Sequence, residues 1–213
     1  MPHLCILIAE TGSLVYLGGL LSGDSRIDSE LARRIGFATA EYHQLQKLWG
    51  HAHVSIREKV QFVSAFVVSK LVYGLSTACL NKAHRRRLDG FYARGLRRIL
   101  RIPAAFVSRV SSKAVYQAAG VQPLSEQLVK RQLVLLGQVA RAPATDPLRR
   151  DVFIGDTLRP VISHYIRRVG RPRVNWTEYV LKVGAERLGG QASFHQQLQN
   201  LDEKAWKAKV ASL

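Results

Sequence analysis

The chain has 213 residues, 47% of them hydrophobic, which is enough for one large or two small folded domains and too apolar for a disordered tail. Thirty-two Lys and Arg stand against 15 Asp and Glu, a formal net charge of +17, so an acidic partner is expected: nucleic acid first, an anionic membrane surface second. Cys5 and Cys79 are the only cysteines, which excludes a disulfide framework and a cysteine-based zinc site and points to an intracellular, reducing compartment.

In chain order, LCILIAE, TG and SLVYLGGLLS predict two short strands around a Gly-containing turn at Thr11-Gly12. Such a hairpin needs a further sheet or helix to be stable, so a partner surface, upstream or on the following helices, is expected. From Asp28 to Trp49, Leu31, Ile35, Ala38, Tyr42, Leu45 and Leu48 or Trp49 recur at helical spacing behind acidic first-turn residues. A second helix is predicted from Ser55 to about Leu80, with Ser55 and Glu58 as a capping box. It is apolar nearly all round but interrupted by Gln61 and Lys70, so it reads as a buried central helix rather than a membrane span.

The stretch HRRRLDGFYARGLRRILRIP, residues 84–103, carries seven arginines and one acid, Asp89. On a helix, Leu88, Phe91, Tyr92, Leu96 and Ile99 share one face. Arg86, Arg87, Arg94, Arg97, Arg98 and Arg101 share the other within an arc of about 120°, before Pro103 ends the helix. Like charges on one face repel, and they are tolerated most easily against an external polyanion or acids from elsewhere in the fold. Beyond a connector at 104–110 come a short helix from Ser112 to Ala119 closed by Gly120, a longer one from Pro123 to Ala140, and a Pro-rich break, RAPATDP. Residues 148–174 read as an irregular basic loop ending in GRPRVNW, with Arg167, Arg168, Arg171 and Arg173 as phosphate-contact candidates. Asn175 with Glu178 opens a helix to about Leu188, and a last helical pair spans Phe194 to Val210.

No Asp-Asp pair, Walker-type loop, G-x-S-x-G or HExxH occurs. Acids are sparse and sit mostly at helix starts, where capping explains them. His51 and His53 lack a Cys or carboxylate pattern around them. The chain is therefore expected not to be an enzyme on its own, and no cofactor or metal is assigned.

Taken in order, VYLGGLLS, SELARRIGFATAEYHQLQKLW, SIREKVQFVSAFVVSKLVYGLSTACL, RRLDGFYARGLRRILRI, PLSEQLVKRQLVLLGQVARAP and GRPRVNWTEYV resemble the C-terminal part of reverse transcriptases from non-LTR, LINE-type retrotransposons. The resemblance spans about residues 14–180. It implies a mainly α chain in three parts: a short β-hairpin over 1–24 like the palm end, a thumb-like helical bundle over 25–103, and a connector-like helical region over 104–213. Tyr16, Leu17 and Gly18 then match a primer-grip element, and the basic helix faces the template–primer or a neighbouring domain. The Asp-Asp motif of an RNA-directed DNA polymerase does not occur in this sequence, and Gln138 stands where that family often has His.

The expected function is that of a nucleic-acid-binding fragment of such a polymerase, lacking its catalytic palm. The partner would be RNA, DNA or an RNA–DNA hybrid, and the compartment the nucleus. The alternatives are a protein-interaction module, in which the apolar hairpin docks on a reverse transcriptase palm or another protein, and a degenerate fragment with no retained activity. No membrane partner is expected under the leading reading.

Overall fold

The computed structural model describes residues 12–22, 27–51, 53–161 and 175–213. It is mainly α, with one short antiparallel hairpin ahead of the helices. The chain divides into two compact units between Gly74 and Leu75.

In the first unit, β1 (Ser13–Tyr16) pairs with β2 (Gly19–Ser22), Ser13 opposite Ser22 and Tyr16 opposite Gly19. Both strands of this hairpin come from the SLVYLGGLLS segment, with the turn at Leu17-Gly18; the strand expected over LCILIAE and the start of the expected Thr11-Gly12 turn lie outside the described residues. Leu17 and Gly18 have φ of 45° and 75°. Two successive left-handed residues are the pattern of a type I′ turn, whose twist matches that of the flanking strands. Gly18 meets this demand freely; Leu17 adopts it against its Cβ.

Helix α1 (Asp28–His51) buries Leu31, Ala38, Tyr42 and Leu45, the predicted face. It packs on a helical run made of α2 (Ile56–Phe62), a π-helical segment (Val63–Val68) and α3 (Ser69–Val72). The capping box forms as predicted: Glu58 N–H donates to Ser55 Oγ at 3.3 Å, and Ser55 N–H donates to Glu58 Oε2 at 2.8 Å. The run buries Val60, Val63, Val67, Val68, Leu71 and Val72 but leaves Phe62, Phe66 and Tyr73 about half exposed, so it is one-sided rather than central. It stops at Val72, not near Leu80, because Gly74 turns left-handed at φ 72°.

The second unit is built around one long helix. After a 3₁₀ turn (Leu75–Thr77) come α4 (Lys82–Ile99), α5 (Ala105–Ser108), α6 (Ser112–Ala119) and α7 (Leu124–Arg141). They are followed by α8 (Pro147–Val152), α9 (Trp176–Arg187), α10 (Gln191–Asn200) and α11 (Glu203–Ala211). Helix α7 touches α4, α8, α9, α10 and α11. Its Leu133, Leu136 and Val139 enter a core with Phe153, Val180, Phe194, Leu198 and Trp206. The loop expected over 148–174 instead contains α8, started by Asp146, whose carboxylate accepts from the amides of Leu148 and Arg149 at 2.9 and 3.1 Å. Gly137 of α7 is where Trp206 closes in: a Cβ there would lie 2.2 Å from the indole nitrogen.

Candidate nucleic-acid interface

The two units divide the charge unequally. Residues 1–74 hold 7 Lys and Arg against 6 Asp and Glu, a net +1; residues 75–213 hold 25 against 9, a net +16. Nearly all of the excess positive charge thus lies in the unit that carries α4.

Asn81 caps α4, its Oδ1 accepting from His84 N–H at 2.8 Å. Leu88, Tyr92, Leu96 and Ile99 are buried, and α4 packs on α6 and α7 along this face. Burial pushes the Tyr92 phenol up to about 12 and the Tyr116 phenol higher still, so both rings enter the core neutral. The helix's single acid faces inward as well. Asp89 Oδ1 accepts from Ser125 N–H at 2.9 Å and Oδ2 from Ser125 Oγ at 2.6 Å, which makes Asp89 a cap for α7 borrowed from α4. No Asp or Glu follows it until Glu126, while residues 90–125 include six Lys and Arg.

The opposite face exposes Arg86, Arg87, Arg94 and Arg98. Among the described residues, none of Arg86, Arg87, Arg94 and Arg101 has a carboxylate within ion-pairing distance. Arg101 lies just past the helix and is exposed. Its φ is 55°, and Ile102 N–H donates to Arg97 O at 2.9 Å while Arg101 N–H donates to Arg98 O at 3.4 Å. This is a Schellman closure with an arginine at the position that usually takes glycine.

Arg97 departs from the stripe. It is 5% exposed. Its guanidinium donates to Pro103 O at 3.2 Å, Ser108 Oγ at 3.3 Å and Val110 O at 2.5 Å. One turn after buried Ala93, it lies at the stripe's edge, where the returning segment 103–110 covers it. Helical periodicity placed Arg97 among the outward arginines because it takes no account of the chain that folds back over the helix end. Arg85 is also structural, donating to Leu80 O at 3.1 Å and lying 4.9 Å from the Tyr179 ring centre. Arg167, Arg168, Arg171 and Arg173 lie outside the described residues.

Tyr16, Leu17 and Gly18 belong to the first unit, where a polar clamp holds their backbone. Gly18 O accepts from the Nη2 atoms of Arg33 and Arg34, at 2.5 Å each, and Leu17 O accepts from the Tyr73 hydroxyl at 3.0 Å. Glu30, 6% exposed, ties the clamp together. Its Oε2 accepts from Leu20 N–H at 3.0 Å and Arg33 Nε at 2.8 Å, and its Oε1 from Arg34 Nε at 2.6 Å. Burial works to raise the Glu30 pKa, but these donors together outweigh it and hold the carboxyl below its ordinary value. The side chains point outward: Tyr16 is 61% and Leu17 75% exposed. The sequence pattern carried no sign of this clamp, because Arg33, Arg34 and Tyr73 meet backbone carbonyls of a turn distant in the chain.

Between α7 and α11 an open groove of about 540 Å³ is lined by Val134, Leu135 and Val210 beside Lys130 and Lys207. Its lining contains no Asp, Glu, His or Cys, so it offers no carboxylate, imidazole or thiolate. Among the described residues no three His, Cys, Asp or Glu come together as a metal site, and no helix is long and apolar enough to cross a membrane. The chain matches no protein-family model, no curated protein and no solved structure.

Proposed function

We propose that the chain is a sequence-tolerant nucleic-acid-binding module, serving as the template- or primer-holding part of a non-LTR retroelement reverse transcriptase does. The observation that carries this reading is the exposed set Arg86, Arg87 and Arg94 on α4 with Arg101 just past its end, left without carboxylate partners among the described residues while Asp89 is engaged in capping α7. Arg87, Arg94 and Arg98 follow one another along the helix at intervals of about 10 and about 6 Å, from the rise of 1.5 Å per residue. Planar guanidinium forks at such intervals suit a run of phosphate oxygens, and displaced counterions supply the driving force. Contacts of this type read neither the base nor the 2′-hydroxyl, so RNA, DNA and their hybrid all qualify.

The test is fluorescence anisotropy on an RNA–DNA hybrid across a salt series, comparing the parent with an Arg86→Gln, Arg87→Gln, Arg94→Gln, Arg101→Gln variant. Arg97 is left intact because it serves the fold. The parent is expected to bind with affinity falling steeply with salt, and the variant to bind more weakly with a slope shallower by about 3 to 4. Equal affinity and equal slope for the two proteins contradict the reading.

A separate observation favours a second activity in the first unit. Leu14, Val15, Tyr16, Leu17 and Leu21 are each more than half exposed on one anchored hairpin. An apolar strand pair of this kind suits docking on another protein. Under this reading the parent binds a hydrophobic dye or self-associates in light scattering, and a Val15→Thr, Leu17→Asn, Leu21→Thr variant does so less. A dye-silent monomer counts against it.

A further inference from the structure

We propose that Phe106 is a base-stacking residue and that the preferred ligand of the α4 surface is therefore single-stranded nucleic acid. This rests on the nucleic-acid reading above and specifies its substrate. At 80% exposure, Phe106 is the most exposed large apolar side chain among the described residues, and its neighbour Val107 is 62% exposed.

The segment that presents them is held in place. Buried Arg97 bonds Pro103 O at one end and Ser108 Oγ and Val110 O at the other, fastening both ends of the segment to the last turn of α4. Within it, Val107 and Ser108 N–H donate to Ala104 O at 2.9 Å each, and Arg109 N–H donates to Ala105 O at 3.0 Å. Arg109 closes this short turn in the left-handed region, at φ 58°. The phenylalanine is thus carried outward on a fastened turn.

Its surroundings choose the partner. Exposed Arg101 lies five residues before Phe106 and exposed Arg109 three residues after, and the turn leaves α4 where the arginine row ends. An aromatic ring among cations, in a stretch without a single acid from 90 to 125, matches a strand whose phosphates meet the arginines while an unpaired base meets the ring. A paired duplex shields its base faces inside the stack and offers Phe106 no such contact. A purely apolar protein partner would leave the flanking guanidinium groups unpaired.

The experiment measures anisotropy with labelled oligothymidylate and oligouridylate of about 12 nucleotides and with a blunt duplex of similar length. Parent, Phe106→Ala and Phe106→Trp proteins are compared. Phe106→Ala is expected to weaken single-strand binding about 5- to 150-fold with an unchanged salt slope, and to leave blunt-duplex binding within about twofold. Phe106→Trp is expected to restore single-strand binding, with its own fluorescence quenched by the bound strand. The inference is overturned if Phe106→Ala binds single strands like the parent, or if it loses duplex and single-strand binding equally. A parent that binds the duplex with a steep salt slope while Phe106→Ala changes nothing removes this inference and leaves the nucleic-acid reading standing. A parent that binds neither ligand removes both.

Discussion

The two units use charge in opposite ways. In the first, arginine is an internal fastener. Arg33 and Arg34 are bound to Glu30 and to the carbonyl of Gly18, Arg34 also lies 4.8 Å from the Tyr73 ring centre, and the net charge of the whole unit is only +1. This unit exposes many large apolar side chains, among them the hairpin residues, Phe37, Phe62, Phe66 and Tyr73. In the second, Arg97 and Arg149 are structural, but the α4 row faces outward beside a large uncompensated charge. The residue type alone therefore does not report its task. An arginine is structural where a carbonyl or carboxylate lies within reach of a buried guanidinium, and it is available to a ligand where neither does.

Six substitutions sharpen that contrast, in falling order of effect on stability. Glu30→Ala leaves Arg34 buried without its counter-charge and frees the hairpin amide of Leu20. It is expected to destabilise the first unit by about 3–5 kcal/mol, read as faster hydrogen exchange at the β1 and β2 amides. The same carboxylate sets an acid limit. Its folded pKa lies below the ordinary 4.5, so its stabilisation is present above 4.5 and is lost as pH falls through the lower folded value. Hairpin exchange is expected to accelerate in that range in the parent and not in the variant.

Arg97→Ala removes donors from three acceptors of segment 103–110 and is expected to cost about 2–3 kcal/mol in denaturant unfolding. It also loosens the turn that carries Phe106. Arg101→Gly acts in the other direction: relieving the left-handed Cβ is expected to stabilise by about 1 kcal/mol, while the salt slope of binding falls by about one. A thermal melt paired with a titration shows whether this residue trades stability for contact. Arg86→Gln, Arg87→Gln and Arg94→Gln are each expected to change stability by less than about 0.5 kcal/mol, since they touch nothing that holds the fold. A larger loss at any of them would move that residue into the structural class.

Much of the architecture was legible in the sequence. The Ser55–Glu58 box, Gly120 behind 112–119, Asn175 before α9 and the apolar faces of α1 and α7 are local signals, and each element formed where its signal stands. What escaped depended on contacts between distant segments. The turn at Leu17-Gly18 is held by Tyr73, which lies 56 residues away from Leu17. Gly137 is required by Trp206, far along the chain in α11. At the candidate interface, periodicity alone separated the arginine face from the apolar face, but it could not exclude Arg97, which is covered by 103–110. Phe106 carried a weak signal, one aromatic between Arg101 and Arg109 in a segment read as a mere connector.

The most direct test of the central claim is arginine-specific footprinting. The parent protein is treated with phenylglyoxal, with and without a saturating oligonucleotide, and each modified arginine is located by mass spectrometry. Protection is expected at Arg87, Arg94 and Arg101, with Arg33, Arg34 and Arg97 unreactive in both samples because the fold already holds them. An oligonucleotide that binds while leaving Arg87, Arg94 and Arg101 as reactive as before would contradict the account.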